Sequence, residues 1–435
     1  MTSKPKPAAH SEALDPSSLF RGLADRRGLV LAVSGGPDST ALMLLASAWR
    51  ERPPVLVVTV DHGLRPEAAD EARLVAANAD ALNLPVRIMT VAVPRTGNLQ
   101  DNARRARYEC LAAAARDAGF DTIVTAHHQD DQAETFLLRL ARGSGVYGLA
   151  AMREEEQLEG VVLARLLLHV PRAALQRIVS DSGLEIVADP SNLDLRFDRV
   201  RMRELMPTLA EQGIDAVRLA ETAGRLDRAA KALDHYAGAL LKANFASDPL
   251  GVVSGPAAAL ATVPEEVALR SLARILRAVG GADYTPRLSS VEMLHDAIVS
   301  APAGGVKRTL SGVVVEAVRG KLSARREWGR DGLPDISVAP GANVVWDGRF
   351  RVAIPQIGGL LNVGGLGRTK RPLRSATACR SALSVLPGLY RDGTLLAVPA
   401  GIQADDEAMQ LEFLAAECIV GQRLGIADEA SAQRR

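Results

Sequence analysis

Three polar clusters in the first third of the chain contain residue types that bind phosphate groups, divalent cations and amines. The first reads SGGPDST at residues 34–40, the second is DHG at residues 61–63, and the third is HHQDDQAET at residues 127–135. Glycine-rich turns let backbone N–H groups approach an anion, and carboxylates bind Mg²⁺ or an ammonium group. The clusters therefore predict a site that holds a phosphorylated ligand together with a cation.

The SGGPDST cluster is suited to hold phosphate at the junction of a strand and a helix. Gly35 and Gly36 can adopt backbone conformations closed to other residues, so a phosphate can approach the chain there. Pro37 suits the first turn of the helix, where its missing N–H costs little. Asp38 would repel a bare phosphate, so we expect it either to bind Mg²⁺ or to cap the helix. Hydroxyls for phosphate oxygens are available on Ser34, Ser39 and Thr40.

This cluster differs from the common phosphate-binding loops. It matches neither the GxxxxGK pattern of a P-loop nor the GxGxxG pattern of a dinucleotide-binding loop. The chain has only seven lysines, and none lies between Lys6 and Lys231. Any phosphate contact in the first half must therefore come from arginine, hydroxyl or backbone N–H groups.

Apolar runs alternate with helical patterns around the three clusters. Each cluster follows a predicted strand directly, and ligands of open α/β sheets bind beyond the carboxyl ends of the strands. The alternation, with strands that are apolar throughout, predicts a parallel sheet with helices on both faces. We therefore expect one pocket to contain all three clusters. Strands are predicted at 28–33, 55–60, 86–93, 122–126 and 161–170, and helices at 39–50, 67–82, 99–118, 130–142 and 171–182.

The third cluster places carboxylates on one face of a helix. Asp130 and Asp131 lie four and three residues before Glu134, a spacing that brings each of them onto the face of Glu134. Beside a phosphate loop these carboxylates suit Mg²⁺, a substrate ammonium group, or both, although an acidic first turn also stabilises a helix by itself. His127 is expected to contact nucleotide or substrate, and His62 is either a ligand contact or a structural cap.

Composition narrows the class of protein. The 435 residues suffice for two or three domains, and the net charge of +1 indicates no particular partner. Cys110, Cys379 and Cys418 form no CxxC pair, which argues against a disulfide framework, a zinc site or an iron–sulfur cluster. No apolar run is long enough for a membrane span, and residues 1–24 are expected to form a flexible tail.

The first cluster and several later blocks resemble a known family. SGGPDS resembles the PP-loop of the N-type ATP pyrophosphatases, which cleave ATP to AMP and pyrophosphate while adenylating a substrate. With the blocks NARRARYE at 102–109, TAHHQDDQAETFLLRLARGSGVYGL at 125–149 and ADPSNLDLRFDRVRMREL at 188–205, the chain is similar to the tRNA(Ile)-lysidine synthetase family. Leu166, where proline is usual, and Val200, where asparagine is usual, depart from that pattern.

The resemblance implies an α/β fold with an N-terminal Rossmann-like parallel sheet, a helical domain and a small β-rich C-terminal domain. We expect a catalytic PP-loop domain at 25–215, a mainly helical tRNA-binding domain at 216–330 and a C-terminal α+β tRNA-binding domain at 331–435. The Asp347-Gly348 pair predicts a hairpin turn. Basic residues expected to contact tRNA in the later domains are Arg308, Arg351, Arg368, Lys370, Arg371 and Arg374.

The activity that the resemblance implies is the ATP-dependent joining of free L-lysine to carbon 2 of the wobble cytidine in the isoleucine tRNA with a CAU anticodon. ATP and Mg²⁺ are the implied cofactors, and the products are lysidine, AMP and pyrophosphate, formed through an adenylated cytidine. We expect a cytoplasmic enzyme with no membrane association. The sequence leaves open whether the enzyme is a homodimer.

The resemblance also implies roles for individual residues. Catalysis is assigned to Asp38, Asp131, Glu134 and Arg104, with Asp38 and Asp131 as metal ligands. ATP binding is assigned to Ser34, Gly35, Gly36, Pro37, Asp38, Ser39, Thr40 and His62. Lysine binding is assigned to His127, Asp130, Asp131 and Glu134. Contact with tRNA is assigned to Arg107, Arg165, Arg172, Asn192, Arg199 and Arg203.

Three other functions share part of this pattern. A tRNA thiolase of the same superfamily would rely on cysteines, often paired, and this chain has no CxxC. A small-molecule adenylating ligase of the GMP- or asparagine-synthetase kind would need glutaminase residues that the sequence lacks. A non-catalytic nucleotide-binding regulator would not need the acidic helix.

Overall fold

The chain divides into two compact units, Met1–Ala230 and Lys231–Arg435. The division falls within one long helix, Ala216–Asn244. The domain boundaries expected near residues 25, 216 and 331 remain predictions. The computed structural model describes residues 14–63, 67–91, 99–158, 160–187, 196, 198–282, 285–301, 304–369, 373–375, 380–400, 402–404 and 412–425.

A six-stranded sheet runs through the first unit. Its strands are β1 Leu29–Ala32, β2 Val55–Asp61, β3 Val86–Thr90, β4 Thr122–Val124, β5 Glu155–Leu158 and β6 Val161–Ala164. In space they lie in the order β3-β2-β1-β4-β6-β5, and every neighbouring pair is parallel except β5 with β6. The chain order reverses around β1, so the loops that leave β1 and β4 meet at the carboxyl edge of the sheet.

Helices cover both faces of this sheet, as the sequence predicts. Leu29 and Leu31 of β1 belong to one core, whereas Val30 and Ala32 belong to another on the opposite face. Apolar residues on both faces explain why the strands read as unbroken apolar runs. The helices of this part of the chain are α1 Pro16–Leu19, α2 Pro37–Ala48, α3 Ala68–Ala81, α4 Leu99–Asp117, α5 Gln129–Ala141, α6 Val146–Leu149, α7 Arg172–Ser182, α8 Asp198–Glu211 and α9 Ala216–Asn244.

The sheet differs from the sequence prediction at its β6–β5 edge. The strand predicted over 161–170 ends at Ala164, because the chain turns there and buries Leu167 and Leu168 in the turn. β5 is not predicted by the sequence, since Glu-Glu-Gln-Leu lacks the β-branched and aromatic residues that favour strands. As an antiparallel edge strand, β5 carries the charged side chains that are common at such edges.

The second unit combines small sheets with short helices. Its strands are β7 Ala246–Ser247, β8 Val253–Pro256, β9 Val306–Leu310, β10 Val313–Val318, β11 Lys321–Arg326, β12 Ile336–Val338, β13 Asn343–Trp346, β14 Phe350–Ala353, β15 Leu361–Gly365, β16 Leu373–Arg374, β17 Pro387–Arg391, β18 Thr394–Val398, β19 Gln403–Ala404, β20 Glu412–Phe413 and β21 Ala415–Cys418. In space they form four sheets with the orders β7-β8-β11-β10-β9, β12-β15-β17-β18-β20, β13-β14-β21 and β16-β19. Its helices are α10 Ala258–Ala261, α11 Glu265–Gly280, α12 Leu288–Val299, α13 Arg380–Leu383 and α14 Val420–Leu424.

Two apolar cores lie within this unit. One packs α11 and α12 against β10 and β11, and the other is built mainly by strands between residues 333 and 414. The hairpin predicted at Asp347-Gly348 is confirmed: Trp346 pairs with Phe350, and both turn residues have positive φ angles of 49° and 60°. The region 250–300, which the sequence predicts as mostly helical, also contains β8.

Among the described residues, no helix combines the length and the apolar character that crossing a bilayer requires.

Candidate functional site

A cavity of about 1100 Å³ lies within the first unit, at the carboxyl edge of its sheet. Residues 34–39 and residues 125–131 both contribute to its wall, so two of the three polar clusters share one cavity. Its described lining does not include His62. The excess of arginine over carboxylate in the wall suits a polyanion. The charged lining residues are Arg104, Arg107, Arg139, Arg142, Arg172, Arg196, Arg199, Arg203, Asp38, Glu71, Asp131 and Asp198.

Gly35 gives the loop after β1 its shape. Its φ angle is +82°, and a Cβ at this position would lie 2.5 Å from Cγ2 of Val187. The N–H of Val187 donates a 2.9 Å hydrogen bond to the carbonyl of Gly35. No other residue type fits this backbone and this contact. At Gly36, by contrast, a Cβ would meet only Oγ of Ser34 at 3.9 Å, so the loop leaves space for a ligand there.

Hydroxyls within the loop stabilise its conformation. Oγ of Ser39 accepts from the N–H of Ser34 at 3.2 Å and donates to the carbonyl of Gly36 at 3.0 Å. Thr40 is fully buried, and its hydroxyl donates to the carbonyl of Gly35 at 3.4 Å. Ser34 and Ser39 line the cavity, whereas the buried Thr40 holds the loop from behind. The role of these hydroxyls in ATP binding stays a prediction.

His128 connects the loop after β1 with helix α5. Its Nε2 lies 3.5 Å from Oδ2 of Asp38 and 3.4 Å from Oδ2 of Asp131. Only 1% of its surface is exposed. Burial opposes protonation of His128, but the hydrogen bond to Asp38 and the charges of Asp131, Asp38 and Asp130 outweigh it and hold its pKa above the usual value. One imidazole therefore holds the two predicted metal-binding carboxylates close together.

His128 lies close to Asp131 because it caps the N-terminus of α5. His128 is the N-cap of α5, where its Nδ1 accepts from the N–H of Asp131 and Oδ2 of Asp131 accepts from the N–H of His128. This is a capping box built with histidine and aspartate in place of the usual residues. No role is predicted for His128 from the sequence. The signal was there, because Asp131 follows His128 by three residues, which is the spacing of a capping box.

Asp130 and Arg172 link α5 to α7. Oδ2 of Asp130 accepts from the N–H of Arg172 at 2.9 Å, so this carboxylate caps the first turn of α7. The Nε of Arg172 lies 3.8 Å from Oδ1 of Asp38. Asp130, which is predicted to bind lysine, is thus engaged at a helix terminus, while Arg172 lines the cavity.

Glu134 is buried behind the cavity wall and paired with Arg203 of α8. Oε1 of Glu134 accepts from Nε of Arg203 at 2.8 Å, and the side chain of Glu134 is 2% exposed. Burial raises the pKa of Glu134, although Arg203 opposes this shift. Its Oε2 accepts no hydrogen bond from the described part of the chain.

His127 lies on the cavity wall among cationic side chains. Its Nδ1 is 2.8 Å from Oγ1 of Thr125. Burial and then the charge of Arg165, with smaller effects from other arginines, hold the pKa of His127 well below its usual value. The imidazole is therefore neutral near pH 7.

The remaining residues predicted in the first unit differ in where they lie. Arg104, Arg107 and Arg199 line the cavity. Arg165 is only 4% exposed and donates to Glu156 of β5 and to the carbonyl of Arg153, so burial favours a structural role. His62 has a pKa lowered by burial and by the charge of Arg107, with Asp61 opposing. Asn192 lies outside the described residues.

Of the basic residues predicted to contact tRNA in the second unit, several lie on described surfaces. Arg308 is exposed on β9, Arg351 pairs with Glu417, and Arg368 pairs with Asp335. Arg374 is exposed at the end of β16. Lys370 and Arg371 lie outside the described residues.

The donor set around Asp38 fits a divalent cation. Oδ1 of Asp38 is buried, and no described group donates a hydrogen bond to it. The charges of His128, Arg172 and Arg203 outweigh the effect of burial and lower the pKa of Asp38, so it is ionised. Asp131 lines the same cavity. Mg²⁺ is commonly held by one or two carboxylates together with substrate phosphates, and these two residues match that pattern.

The fold and this cavity together define a class of protein. Residues 10–209 match the PP-loop domain family. The sheet order, the Gly35 turn and the arginine-rich cavity at the carboxyl edge are the features that a phosphate-binding α/β domain requires. The first unit is accordingly a PP-loop domain, and the protein uses ATP.

Sequence relatives identify the family. The chain is 46% identical over 324 residues to "tRNA(Ile)-lysidine synthase" of Methylobacterium sp. (strain 4-46), covering 71% of this chain and 94% of that protein. It is 44% identical over 331 residues to the protein of the same name from Rhodopseudomonas palustris, covering 72% and 94%. With that of Ruegeria pomeroyi it shares 38% identity over 392 residues, covering 89% and 91%. The chain belongs to the tRNA(Ile)-lysidine synthase family.

Proposed function

We propose that the chain joins free L-lysine to carbon 2 of the wobble cytidine in the isoleucine tRNA with a CAU anticodon. Membership of the family makes the chain an enzyme, a ligase that forms lysidine and uses ATP. The observation that carries the proposal is the single cavity in which the loop after β1 and the acidic helix α5 lie side by side. The loop suits a triphosphate, and the acidic helix suits an amine.

In the first step, O2 of the cytosine attacks the α-phosphate of ATP. A phosphorus–oxygen bond forms, the bond to pyrophosphate breaks, and the cytidine carries AMP. The backbone around Gly36 and the start of α2 support this step, because N–H groups at a helix N-terminus stabilise phosphate charge. Asp38 and Asp131 would hold Mg²⁺, which neutralises charge on the pyrophosphate when bound. Arg104 and Arg172 add cationic charge to the same wall.

In the second step, Nε of lysine attacks carbon 2, and the carbon–oxygen bond breaks to release AMP. The amine must lose a proton first, since the reference pKa of lysine is about 10.4. Asp131 lines the cavity and suits the incoming ammonium group, while Glu134 lies behind it. His127 is neutral in the same wall and is available as a hydrogen-bond partner to substrate. We assign the lysine site to this side of the cavity.

The tRNA backbone is assigned to the arginines at the rim. Arg107, Arg199 and Arg203 line the cavity, and Arg196, which the sequence analysis does not select, lines it as well. Guanidinium groups suit phosphodiesters because they donate several hydrogen bonds in a fixed geometry. A cytoplasmic location accords with the proposed substrates, and a homodimer stays open.

The alternative functions are not favoured. A thiolase needs an accessible cysteine near the nucleotide, and Cys110 is 7% exposed within α4, 3.5 Å from Sδ of Met89. Cys418 lies in the other unit, and Cys379 is outside the described residues. The relatives named above are lysidine synthases, which also argues against a small-molecule ligase or a regulator without activity.

The test combines purified protein, ATP, Mg²⁺, labelled lysine and a transcript of the isoleucine tRNA. Lysine should enter the RNA only when ATP and that tRNA are present, with one pyrophosphate released for each lysine incorporated. A methionine tRNA transcript should remain unlabelled. Asp38→Asn should lower turnover by about 10²–10³-fold, the usual effect of removing one charge-stabilising group.

The control is Asp70→Asn, which removes a carboxylate from the exposed face of α3. This variant should keep the turnover of the unmodified protein. Unchanged pyrophosphate release by Asp38→Asn would contradict the metal assignment. Incorporation of lysine into the methionine tRNA at an equal rate would contradict the proposed substrate.

A further inference from the structure

A second cleft, within the unit formed by residues 231–435, is lined mainly by arginine. Its volume is about 310 Å³, and the reaction proposed above uses none of its residues. We call it the arginine cleft. Its described lining residues are Asp234, Arg270, Arg274, Arg277, Ala278 and Arg423.

Three of the arginines come from one face of α11. Arg270, Arg274 and Arg277 are spaced by four and three residues, which places their side chains in one row along the helix. Asp234 reaches the cleft from α9 and Arg423 from α14. Like charges at this helical spacing destabilise a helix, so the row has an electrostatic cost unless an anion lies near it.

Neutral acceptors hold the arginines in place. Arg274 donates to the carbonyls of Asp234 at 3.3 Å and Leu424 at 3.1 Å. Arg423 donates to the carbonyl of Gly348 at 2.6 Å and to that of Ala282 at 3.3 Å. Carbonyl oxygens fix the direction of a guanidinium group but carry no net charge. These bonds therefore fix the direction of the two guanidinium groups.

Within the described lining, Asp234 is the single carboxylate for four guanidinium groups. Nε of Arg270 donates to Oδ1 of Asp234 at 2.6 Å. Nε of Arg277 is buried and has no hydrogen-bond partner among the described residues. A buried donor without a partner is costly, and an oxygen atom of a ligand that reached it would remove that cost. We infer that the arginine cleft binds a phosphate group.

The chemistry of the cleft suits phosphate better than a carboxylate. Phosphate offers three or more acceptor oxygens, and guanidinium groups bind such anions through pairs of parallel hydrogen bonds. A space of about 310 Å³ corresponds to roughly ten water molecules at ~30 Å³ each. It therefore admits one hydrated phosphate group, either free in solution or as part of an RNA backbone.

The test follows the Nε–Hε signal of Arg277 in the full-length protein by NMR with ¹⁵N-labelled arginine. Its assignment comes from the signal lost in Arg277→Gln, or in Arg277→Lys if the first variant does not fold. Inorganic phosphate should shift this signal to saturation, whereas chloride at equal ionic strength should not. The signal of Arg330, an exposed arginine of the same unit outside the cleft, is the matched control and is assigned with Arg330→Gln. Following one arginine keeps the readout separate from phosphate bound in the larger cavity.

A second arm distinguishes the two sources of phosphate. If an RNA backbone supplies the group, tRNA should shift the Arg277 signal, and Arg277→Gln should reduce the salt dependence of tRNA binding by about one charge relative to Arg330→Gln. If the source is free phosphate, tRNA should leave the signal unmoved. Either outcome supports the inference. Only the tRNA titration rests on the proposed function. If tRNA does not shift the signal while phosphate still does, phosphate binding by the cleft stands independently of the proposed function.

The inference would be overturned if phosphate moved the Arg277 signal no more than chloride did. A shift of equal size at Arg330 would overturn it as well, because it would indicate general ionic binding.

Discussion

At the scale of single residues, the imidazoles of His127 and His128 have opposite electrostatic environments. His128 faces the carboxylates of Asp38, Asp130 and Asp131, which favour its protonated form. His127, one residue earlier, is kept in its neutral form by burial and by the charges of nearby arginines. The electrostatic environment is thus opposite at these two neighbouring residues. Such a boundary suits a reaction in which a triphosphate and an ammonium group must lie close together.

The low pKa of His127 gives a prediction about pH. Burial and Arg165 hold its pKa well below 6.5 in the folded protein, while in the unfolded chain it titrates near 6.5. Below that pH the unfolded state takes up a proton that the folded state does not, so His127 makes folding less favourable as the pH falls. We expect its imidazole NMR signal, assigned with His127→Gln, to show no titration between pH 6 and 8.

The same variant provides a second measurement. His127→Gln should reduce the loss of stability between pH 7 and pH 5, because it removes the group that binds a proton only on unfolding. A His127 signal that titrates at or above pH 6.5 would show that burial and the nearby arginines do not lower its pKa.

At the scale of elements, the connection from β1 to α2 is shaped by one residue outside it. Val187 packs against the position where a Cβ on Gly35 would lie, and its N–H donates to the carbonyl of Gly35. Asn78 of α3 donates to the carbonyl of Glu185 at 2.8 Å and so positions the segment that carries Val187. The phosphate loop is therefore supported by α3 and by the segment after α7, as well as by its own glycines.

Substitution of the two adjacent glycines should have different effects. Gly35→Ala forces a side chain into a positive φ angle and against Val187, so we expect a loss of about 1–3 kcal/mol in the free energy of unfolding. Gly36 has a φ angle of −69° and open space around it, so Gly36→Ala should change the free energy of unfolding by no more than about 0.5 kcal/mol. Its methyl group enters the space for phosphate and should weaken ATP binding about tenfold or more.

Urea denaturation and equilibrium binding of ATP measure the two effects. Equal losses of stability in both variants would contradict the assigned difference in backbone conformation. Unchanged ATP affinity in Gly36→Ala would show that the nucleotide does not approach this side of the loop.

At the scale of the whole molecule, the unit from 231 to 435 contains two cores, and the turn at Asp347 is one of the places where they meet. The carboxylate of Asp347 accepts from Arg326 of β11 at 3.1 Å and from Arg349 at 2.7 Å. Arg349 is fully buried, and its guanidinium group lies over the rings of Trp346 and Phe350. The hairpin of one core is thus bound to a strand of the other, within one compact unit.

Gly281 tests this connection. It follows α11 with a φ angle of +68°, and a Cβ there would lie 1.9 Å from the carbonyl oxygen of Asp347. Gly281→Ala should therefore lower the free energy of unfolding of this unit by more than about 2 kcal/mol. Gly320→Ala is the matched control, because Gly320 has a similar φ angle of +77° with open space around it. It should cost only about 1 kcal/mol.

Hydrogen exchange measured by mass spectrometry locates the effect. In Gly281→Ala, protection should fall in peptides from both cores of the second unit and remain in the sheet of the first. Similar losses in Gly281→Ala and Gly320→Ala would indicate that backbone strain alone, without the contact to Asp347, determines the cost.

The sequence by itself determined the features that depend on neighbours within a few residues. The glycines, proline and hydroxyls of residues 34–40 specify a phosphate-binding turn, because backbone freedom and helix capping are local properties. The acidic face of α5 and the hairpin at Asp347 follow from helical spacing and turn chemistry in the same way. The strand and helix pattern was enough to place two polar clusters on one cavity.

Only the tertiary structure decided which distant side chains meet. Glu134 and Arg203 are 69 residues apart, yet Arg203, which lines the cavity, donates a hydrogen bond to Glu134 behind the wall. The sequence predicts that Arg165 contacts tRNA, but the side chain is buried and donates to Glu156 of β5. The residues of β5 have too little strand preference for this strand to be predicted. Burial and pairing across the chain arise from packing between elements, which local residue patterns do not encode.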